Sequence, residues 1–322
     1  MSRAQAPVVV LCGPTAVGKT ALAVALGGEV GGEVIGADSR QIYVGMDVGT
    51  AKPTAEERAA VPHHLVDVVD PSEDFDAGRF RALALKAIED VRARGKVPLV
   101  VGGSGFYLRA LLHGLPDLPE PDASIRAAVR DELERCGSAA MHAELARIDP
   151  VSATRLHPND AVRIARALEV HRQTGRPLSS FASSRAVAGP VVRVVVDRPR
   201  EELDRRIEER TRAMWSGGFV EEVRALWNRP RPPAAQALNA LGYREILDHL
   251  ERGARLDGEQ AHETIARITL ATRRFVRRQR AWFRPEGGIA AAHPERDVER
   301  ILSRVQAALE GGHDRPVGSL VR

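Results

Sequence analysis

Four apolar runs recur along the first part of the chain, separated by stretches with helical periodicity. The runs are 7–12, 33–38, 97–103 and 191–197, and the first three end in or lead directly into Gly or Asp. Between two of them, 78–94 carries apolar residues every three or four positions, which predicts an amphipathic helix. Because the runs are continuously apolar rather than alternating, we expect strands buried on both faces, as in a parallel α/β sheet.

The alternation stops at 113–122, where Pro116, Pro119 and Pro121 prevent a helix from continuing. Helical patterns without strands follow, and HPND before the third of them is an N-cap signal. The predicted helices are 124–135, 138–148 and 160–173. We therefore predict a helical insert at about 120–190.

The rest of the chain is assigned to a core formed by 1–119 and 191–322. After Asp197 the pattern predicts helices up to about Phe283. A weakly structured tail is expected over 285–322.

Composition excludes several classes of protein. The chain has 322 residues, 43% of them hydrophobic, which suffices for a sizeable core. No apolar run reaches the roughly 18 residues that a membrane-spanning helix needs, and the first residues lack the apolar segment of a secretory signal. Cys12 and Cys136 lie far apart, which excludes a disulfide framework or a cysteine metal knuckle. We expect a cytoplasmic protein with no membrane association.

The net charge is only +4, but arginine supplies nearly all of the positive charge. The stretch 266–284 contains seven arginines and no acid, interleaved with Phe275, Trp282 and Phe283. Such a helix can follow a phosphate backbone, with Arg277 and Arg278 as candidate RNA contacts. A solvated helix face anchored by core aromatics is the alternative interpretation.

The first apolar run leads into GPTAVGKT at 13–20, which matches G-x-x-x-x-G-K-[ST]. Backbone N–H groups of such a P-loop point inward at phosphate oxygens, and the following helix adds its positive N-terminus. Lys19 supplies a charge for the terminal phosphate, and the Thr20 hydroxyl is placed to bind Mg²⁺. The motif is typical of ATP-binding and other nucleotide-binding proteins. The residues expected to hold a polyanion are Gly13, Pro14, Thr15, Ala16, Val17, Gly18, Lys19 and Thr20.

These features together predict an α/β fold. It consists of a P-loop NTPase-like parallel sheet core, an inserted all-helical domain and a helical C-terminal part.

A nucleotide-hydrolysing P-loop protein normally has a second acid at the end of a buried strand. Here the run 97–103 leads into Ser104, with no acid at its end. An acid stands instead at Asp38, after the second run. Because an acid near that position orients the acceptor hydroxyl in small-molecule kinases, a kinase is an open alternative.

Several further segments match one family in its own order. DSRQIYVGMDVGTAKP at 38–53 is the most specific, and VPLVVGGSGFY follows it. The other matches are PHHLVDVVDPSEDFDAGRF, LHPNDAVRIARALEV, RIEERTRAMWSGGFVEEVRAL, ALGYREI and ATRRFVRRQRAWFR. Over nearly all of 7–284 the chain thus resembles the tRNA dimethylallyltransferases. The resemblance implies transfer of a dimethylallyl group from dimethylallyl diphosphate to N6 of the adenosine just 3′ of the tRNA anticodon, position 37.

The resemblance also implies roles for individual residues. The P-loop and Lys19 would stabilise the departing diphosphate, and Asp38 would take the proton from N6. Ser104 stands where the family usually has Thr, a hydroxyl that contacts the adenosine and assists its deprotonation. Arg206 and Arg210, spaced i and i+4, are candidates for a second clamp on the diphosphate, with a solvated helix face as the alternative.

Contacts with the tRNA anticodon stem-loop are implied for three matching segments and for single residues. We expect the reacting base to be extruded into a pocket between the core and the helical insert, which would clamp the RNA. The implied tRNA contacts are Asp38, Ser39, Arg40, Gln41, Ser104, Arg126, Val162, Arg163, Ile164, Ala165, Arg166, Asn239, Ala240, Leu241, Gly242, Tyr243 and Arg244, besides Arg277 and Arg278.

Three other functions remain open beside this one. They are prenyl transfer to a free adenine nucleotide, a P-loop small-molecule kinase, and a P-loop protein that binds RNA without catalysis. Nothing in the pattern demands a protein partner, so a monomer is expected.

Overall fold

The computed structural model describes residues 6–184, 186–253, 256–284, 289–291 and 293–310. The chain forms two compact units, one made of 1–112 and 187–322 and the other of His113–Ala186. The larger unit contains a six-stranded sheet in the order β3-β2-β4-β1-β5-β6, and every neighbouring pair is parallel. Its strands are β1 (Val8–Cys12), β2 (Gly32–Gly36), β3 (His63–His64), β4 (Val97–Gly102), β5 (Val191–Val196) and β6 (Ile289–Ala291).

The three central strands are buried at every position, as the continuous apolar runs predict. In the register, Leu11 of β1 lies beside Val101 of β4 and beside Val194 of β5. Because parallel strands end at the same edge of a sheet, the segments after β1, β2, β4 and β5 converge there. That edge carries the P-loop, Asp38, Ser104 and Arg198.

Helices cover the sheet and connect its strands. Those that precede the helical unit along the chain are α1 (Lys19–Val30), α2 (Ala55–Ala60), α3 (Ala77–Ala93) and α4 (Gly105–His113). Those of the smaller unit are α5 (Ala123–Ile148), α6 (Pro150–Arg155) and α7 (Ala161–Thr174). The remaining helices are α8 (Arg200–Ser216), α9 (Phe219–Trp227), α10 (Ala235–Leu238), α11 (Tyr243–Leu250), α12 (Gly258–Phe283) and α13 (Pro294–Leu309). These elements confirm the predicted α/β fold class.

The helical unit has a core of its own. Gly137 interrupts α5 with a non-helical backbone (φ 76°, ψ 162°), which separates the two predicted helices at that point. Val129, Met141 and Leu145 of α5 pack against Leu168 of α7 and its neighbours.

The boundaries of this unit differ from the predicted 120–190. The proline-containing segment is tied to the end of the unit, because Asp117 N–H donates to the Ala182 carbonyl (3.2 Å) and Ser184 N–H to the Leu115 carbonyl (2.7 Å). These partners lie some 65 residues apart along the chain, so the local pattern of residues does not show the pairing.

The prediction of a weakly structured tail is wrong for the described part of 285–322. There β6 adds a strand beside β5, and α13 packs on α1. Ile301 and Val305 are fully buried in the core of the larger unit. The amphipathic pattern of α13 was present in the sequence, but its burial depends on a sheet edge formed by distant residues. The remainder of the tail, including 311–322, lies outside the described residues.

Two short strands were also missed, since β3 has two residues and β6 three. Among the described helices, none combines the length and the apolar character that crossing a membrane requires.

Candidate active site

The loop between β1 and α1 has the backbone of an anion cradle. Gly18 is the N-cap of α1 and is left-handed (φ 97°), which favours glycine. A side chain at Gly13, whose φ is 150°, would collide with the Val196 carbonyl oxygen. Both motif glycines are therefore required by the fold of the loop itself, and the N-terminus of α1 points at the space the loop encloses.

Lys19 holds its ammonium group over this loop. Its Nζ donates to the carbonyl oxygens of Gly13 (3.0 Å) and Pro14 (2.6 Å), and it forms no ion pair with any described residue. Burial lowers the pKa of Lys19 to about 8, although the nearby Asp38 charge raises it. A buried cation bonded only to neutral carbonyls favours the approach of an anion.

Arg206 and Arg210 both turn toward the loop from α8, as their one-turn spacing allows. Arg206 Nε donates to the Ala16 carbonyl (3.0 Å), and Arg210 Nη2 donates to Thr15 Oγ1 (2.8 Å). Arg210 is partly buried, and burial lowers its pKa. The alternative of a solvated face is therefore wrong for these two side chains. Their contact with a diphosphate stays a prediction.

Asp38 and Ser104 lie at the ends of the adjacent strands β2 and β4. Asp38 Oδ1 accepts hydrogen bonds from the Arg40 N–H (2.8 Å) and the Gln41 N–H (3.4 Å), while Oδ2 accepts none from a described residue. Ser104 Oγ accepts from the Ser39 N–H (3.0 Å) and keeps its own proton for donation. One carboxylate oxygen is thus fixed, and the other is available to a proton donor.

A single pocket of about 300 Å³ brings these groups together within the larger unit. Thr15, Lys19 and Arg210 line it from the P-loop side, and Asp38 and Ser104 line it as well. The apolar part of the wall consists of Met214, Phe219, Ala240, Leu241, Ile268 and Phe275. The pocket therefore combines cations, one carboxylate and an apolar surface, which suits a ligand that is charged at one end and apolar at the other.

Several residues implied as tRNA contacts also reach this pocket. Ser39, Arg40, Asn239 and Tyr243 line it, and Arg40 donates to the Gln236 carbonyl. Gly242 has a left-handed φ of 87° as the N-cap residue of α11. Others in these segments point elsewhere: Gln41 Nε2 donates to the carbonyls of Thr50 (3.1 Å) and Ala51 (3.0 Å), and Arg244 pairs with Asp248 (2.8 Å).

On α12 the two arginines singled out from the sequence have different surroundings. Arg278 lines the pocket and lies over the Phe275 ring, 5.7 Å from its centroid. Arg277 is exposed. Neither forms an ion pair among the described residues, so both are available to phosphate.

In the helical unit, the implied contacts divide into exposed and buried positions. Val162 is 80% exposed, and Arg163 pairs with Asp160 (3.1 Å). Glu169 pairs with Arg166 (3.1 Å) and lies 3.9 Å from Arg126. Ile164 is fully buried and Ala165 packs against the same core, so these two side chains are turned into the unit.

Three residues that support the pocket or the P-loop were not predicted from the sequence. Glu222 accepts the backbone N–H groups of Asp47 (2.8 Å), Val48 (2.7 Å) and Gly49 (3.0 Å), which orders one side of the pocket. Arg198, buried after β5, donates to the Val17 carbonyl of the P-loop (2.8 Å). Gln279 joins the P-loop to the end of β4. Of these three, only Gln279 could have been found from the sequence. It is a polar residue on the buried face of α12, which otherwise includes Ile268, Thr272, Val276 and Phe283.

The residues around the loop suit an ion held mainly by a substrate's phosphates. The described residues contain no group of three or more His, Cys, Asp or Glu side chains that would bind a metal alone. Thr20, partly buried in the first turn of α1, offers one hydroxyl. Mg²⁺ commonly takes one or two protein oxygens and completes its shell with phosphate oxygens and water, so the donor set fits.

Comparison with known families gives one consistent result. The family model described as IPP transferase matches residues 41–286, and the model described as isopentenyl transferase matches residues 6–70. A tRNA dimethylallyltransferase of Anaeromyxobacter dehalogenans is 48% identical over 301 residues, which cover 92% of this chain and 96% of the relative. One of Geobacter metallireducens is 45% identical over 300 residues, again covering 92% and 96%.

Solved structures agree with these relatives. The full-length tRNA isopentenylpyrophosphate transferase of Bacillus halodurans has a TM-score of 0.69 at 35% identity, covering 95% of this chain and 97% of its own. A eukaryotic dimethylallyltransferase acting on tRNA has a TM-score of 0.80 at 27% identity, covering 98% and 81%.

Proposed function

The chain belongs to the tRNA dimethylallyltransferase family, and from this premise we propose how its pocket performs the transfer. The enzyme transfers a dimethylallyl group from dimethylallyl diphosphate to N6 of adenosine 37, just 3′ of the tRNA anticodon, and releases diphosphate. One observation carries the residue assignment: the P-loop cations and a carboxylate with one free oxygen face the same partly apolar pocket.

The diphosphate of the donor binds at the P-loop. Loop N–H groups, Lys19 and Arg210 meet the negative charge that grows on the diphosphate as the allylic C–O bond breaks, while Arg206 holds the loop carbonyl of Ala16 in place. Stabilising the leaving group is the main task, because an allylic cation is already delocalised and needs little help. A Mg²⁺ ion bound by Thr20 and the phosphate oxygens would add further charge stabilisation.

The apolar wall receives the dimethylallyl group. Phe219, Ile268 and Phe275 offer hydrocarbon and aromatic surface within the same pocket as the cations. Such a wall excludes water from the developing allylic cation, which limits its capture as the free alcohol.

Asp38 is the base. The exocyclic amine of adenine is a weak nucleophile, since its lone pair is delocalised into the ring, and a carboxylate that accepts its proton raises the rate. The fixed Oδ1 orients the carboxylate and leaves Oδ2 for N6–H. The Ser104 hydroxyl, held by the Ser39 N–H, donates a hydrogen bond to the adenosine from the neighbouring strand.

Contacts with tRNA are assigned to exposed or partly exposed arginines. Arg277 and Arg278 on α12, together with Arg126, Arg163 and Arg166 of the helical unit, bind phosphates of the anticodon stem-loop. The helical unit acts as a clamp on that RNA. The enzyme works in the cytoplasm as a monomer, without an obligate protein partner.

A three-way assay tests the function. Purified protein is incubated with labelled dimethylallyl diphosphate and an unmodified anticodon stem-loop, with AMP, or, in a third reaction, with ATP and small alcohols. We expect label only in the stem-loop. Label in AMP would favour prenyl transfer to a free nucleotide, ATP consumption would favour the kinase, and stem-loop binding without turnover would favour the non-catalytic alternative. The family relatives, which act by name on tRNA, favour none of these three.

A further inference from the structure

Gln279 is a buried amide on the arginine-rich helix α12, only 6% exposed. Both ends of the amide are used. Its Oε1 accepts the Thr15 N–H of the P-loop (3.0 Å), and its Nε2 donates to the Gly103 carbonyl at the end of β4 (2.9 Å). The side chain therefore bridges two segments that no covalent path connects closely.

The fit at both ends is close. A methyl group at Gly103 would come within 2.5 Å of Gln279 Nε2, so the bridge depends on a glycine there. Thr15 is held a second time by Arg210, which donates to its hydroxyl. Because the Thr15 N–H is bonded to Gln279, it is not one of the amides that face the anion.

The Gln279 bridge also leads to Ser104 and Asp38, the residues proposed to face the adenine. Ser104 follows Gly103, and its hydroxyl accepts the Ser39 N–H next to Asp38. Hydrogen bonds and the Gly103–Ser104 peptide bond thus connect the P-loop through Gln279 to Ser39, the residue after Asp38.

We infer that Gln279 is a positioning residue that sets the separation between the donor and acceptor halves of the site. The inference rests on the proposed function, in which the allylic carbon and N6 must meet. Reacting atoms have to lie roughly 3–3.5 Å apart, and a misplacement of about 1 Å can cost about 100-fold in rate. Gln279 lines the pocket, but both polar atoms of its amide are taken by Thr15 and Gly103, so its effect is assigned to these two partners.

The test uses the full-length protein, dimethylallyl diphosphate and an anticodon stem-loop. Gln279→Met keeps the length and loses both hydrogen bonds, while Gly103→Ala pushes the amide away from the other end. We expect each variant to lower the single-turnover rate at saturating substrate about 100-fold. Binding of inorganic diphosphate and of the stem-loop, measured by calorimetry, should change by less than about threefold.

A double variant identifies the shared bridge. If both substitutions break one connection, the Gln279→Met/Gly103→Ala protein should be about 100-fold slower, not about 10,000-fold. Thr264→Val is the matched control, since Thr264 is a fully buried polar residue of α12 whose hydroxyl bonds only within the helix, to the Gln260 carbonyl (2.8 Å). Its turnover should equal that of the unchanged protein.

Each contrary result decides against the inference. The inference is overturned if Gln279→Met reacts within about threefold of the rate of the unchanged protein, or if weaker substrate binding explains its loss of rate. It is also overturned if the double variant is slowed by the product of the two single effects. Unfolding of Gln279→Met at the assay temperature would assign the amide a purely structural role. Absence of transfer by the unchanged protein would instead reject the proposed function.

Discussion

Glu222 should control the order of one side of the active-site pocket. Its carboxylate accepts three successive backbone N–H groups, of Asp47, Val48 and Gly49, and also the Tyr243 hydroxyl (2.6 Å). Gly49 and Tyr243 both line the pocket. Replacing Glu222 with Ala removes the acceptor for all four donors at once.

The size of the effect follows from the hydrogen bonds that the substitution removes. A hydrogen bond to a charged acceptor contributes about 1.5–3 kcal/mol when its partner cannot reach water. Here Asp47 is exposed and the segment can relax into solvent, so we expect a total cost of about 2–4 kcal/mol. If this cost falls on the ordered state of 47–49 alone, the equilibrium constant for opening of this segment rises about 30- to 700-fold.

Hydrogen exchange measures this directly. In Glu222→Ala the amides of 47–49 should lose protection by the same factor. The value of kcat/KM for the stem-loop should fall in proportion to the fraction of molecules in which 47–49 is open. Glu221→Ala removes an exposed carboxylate from the same helix and serves as the control. Unchanged protection at 47–49 in Glu222→Ala, or an equal loss in Glu221→Ala, would refute the reasoning.

The remaining predictions concern the proposed base, the arginines proposed to bind RNA, and the P-loop. Asp38→Asn keeps an oxygen for the Arg40 N–H but cannot take a proton from N6. The single-turnover rate should therefore fall about 10²- to 10⁴-fold, while the affinity for the stem-loop stays nearly unchanged. A normal rate would exclude Asp38 as the base. Replacing Arg277 and Arg278 with Ala should make the plot of log binding constant against log salt concentration less steep, by about one unit of slope for each phosphate that is no longer neutralised. An identical slope would mean that the RNA binds elsewhere. In Glu295→Gln, Arg198 loses a carboxylate partner and should hold the Val17 carbonyl of the P-loop less firmly. Calorimetry should then show about fivefold weaker binding of inorganic diphosphate, equivalent to about 1 kcal/mol. Equal affinity would contradict the link from α13 to the loop.

Much of the site could be predicted because its chemistry lies in short contiguous segments. The P-loop needs its glycines, lysine and threonine at fixed local spacing, and Asp38 and Ser104 directly follow strands whose apolar character is plain in the sequence. Since parallel strands end at one edge, these groups lie together in the folded protein. The family resemblance then supplied roles that no pattern of hydrophobic and polar residues contains.

By itself, then, the sequence determined the parallel sheet, the helical unit and the P-loop, because strand and helix patterns and turn glycines act over a few residues. Only the tertiary structure decided what holds the pocket in shape. Glu222 bonds to amides more than 170 residues away, and Gln279 to one 264 residues away. The core position of α13 has the same origin, since an amphipathic helix shows which of its faces is apolar but not which surface will cover it.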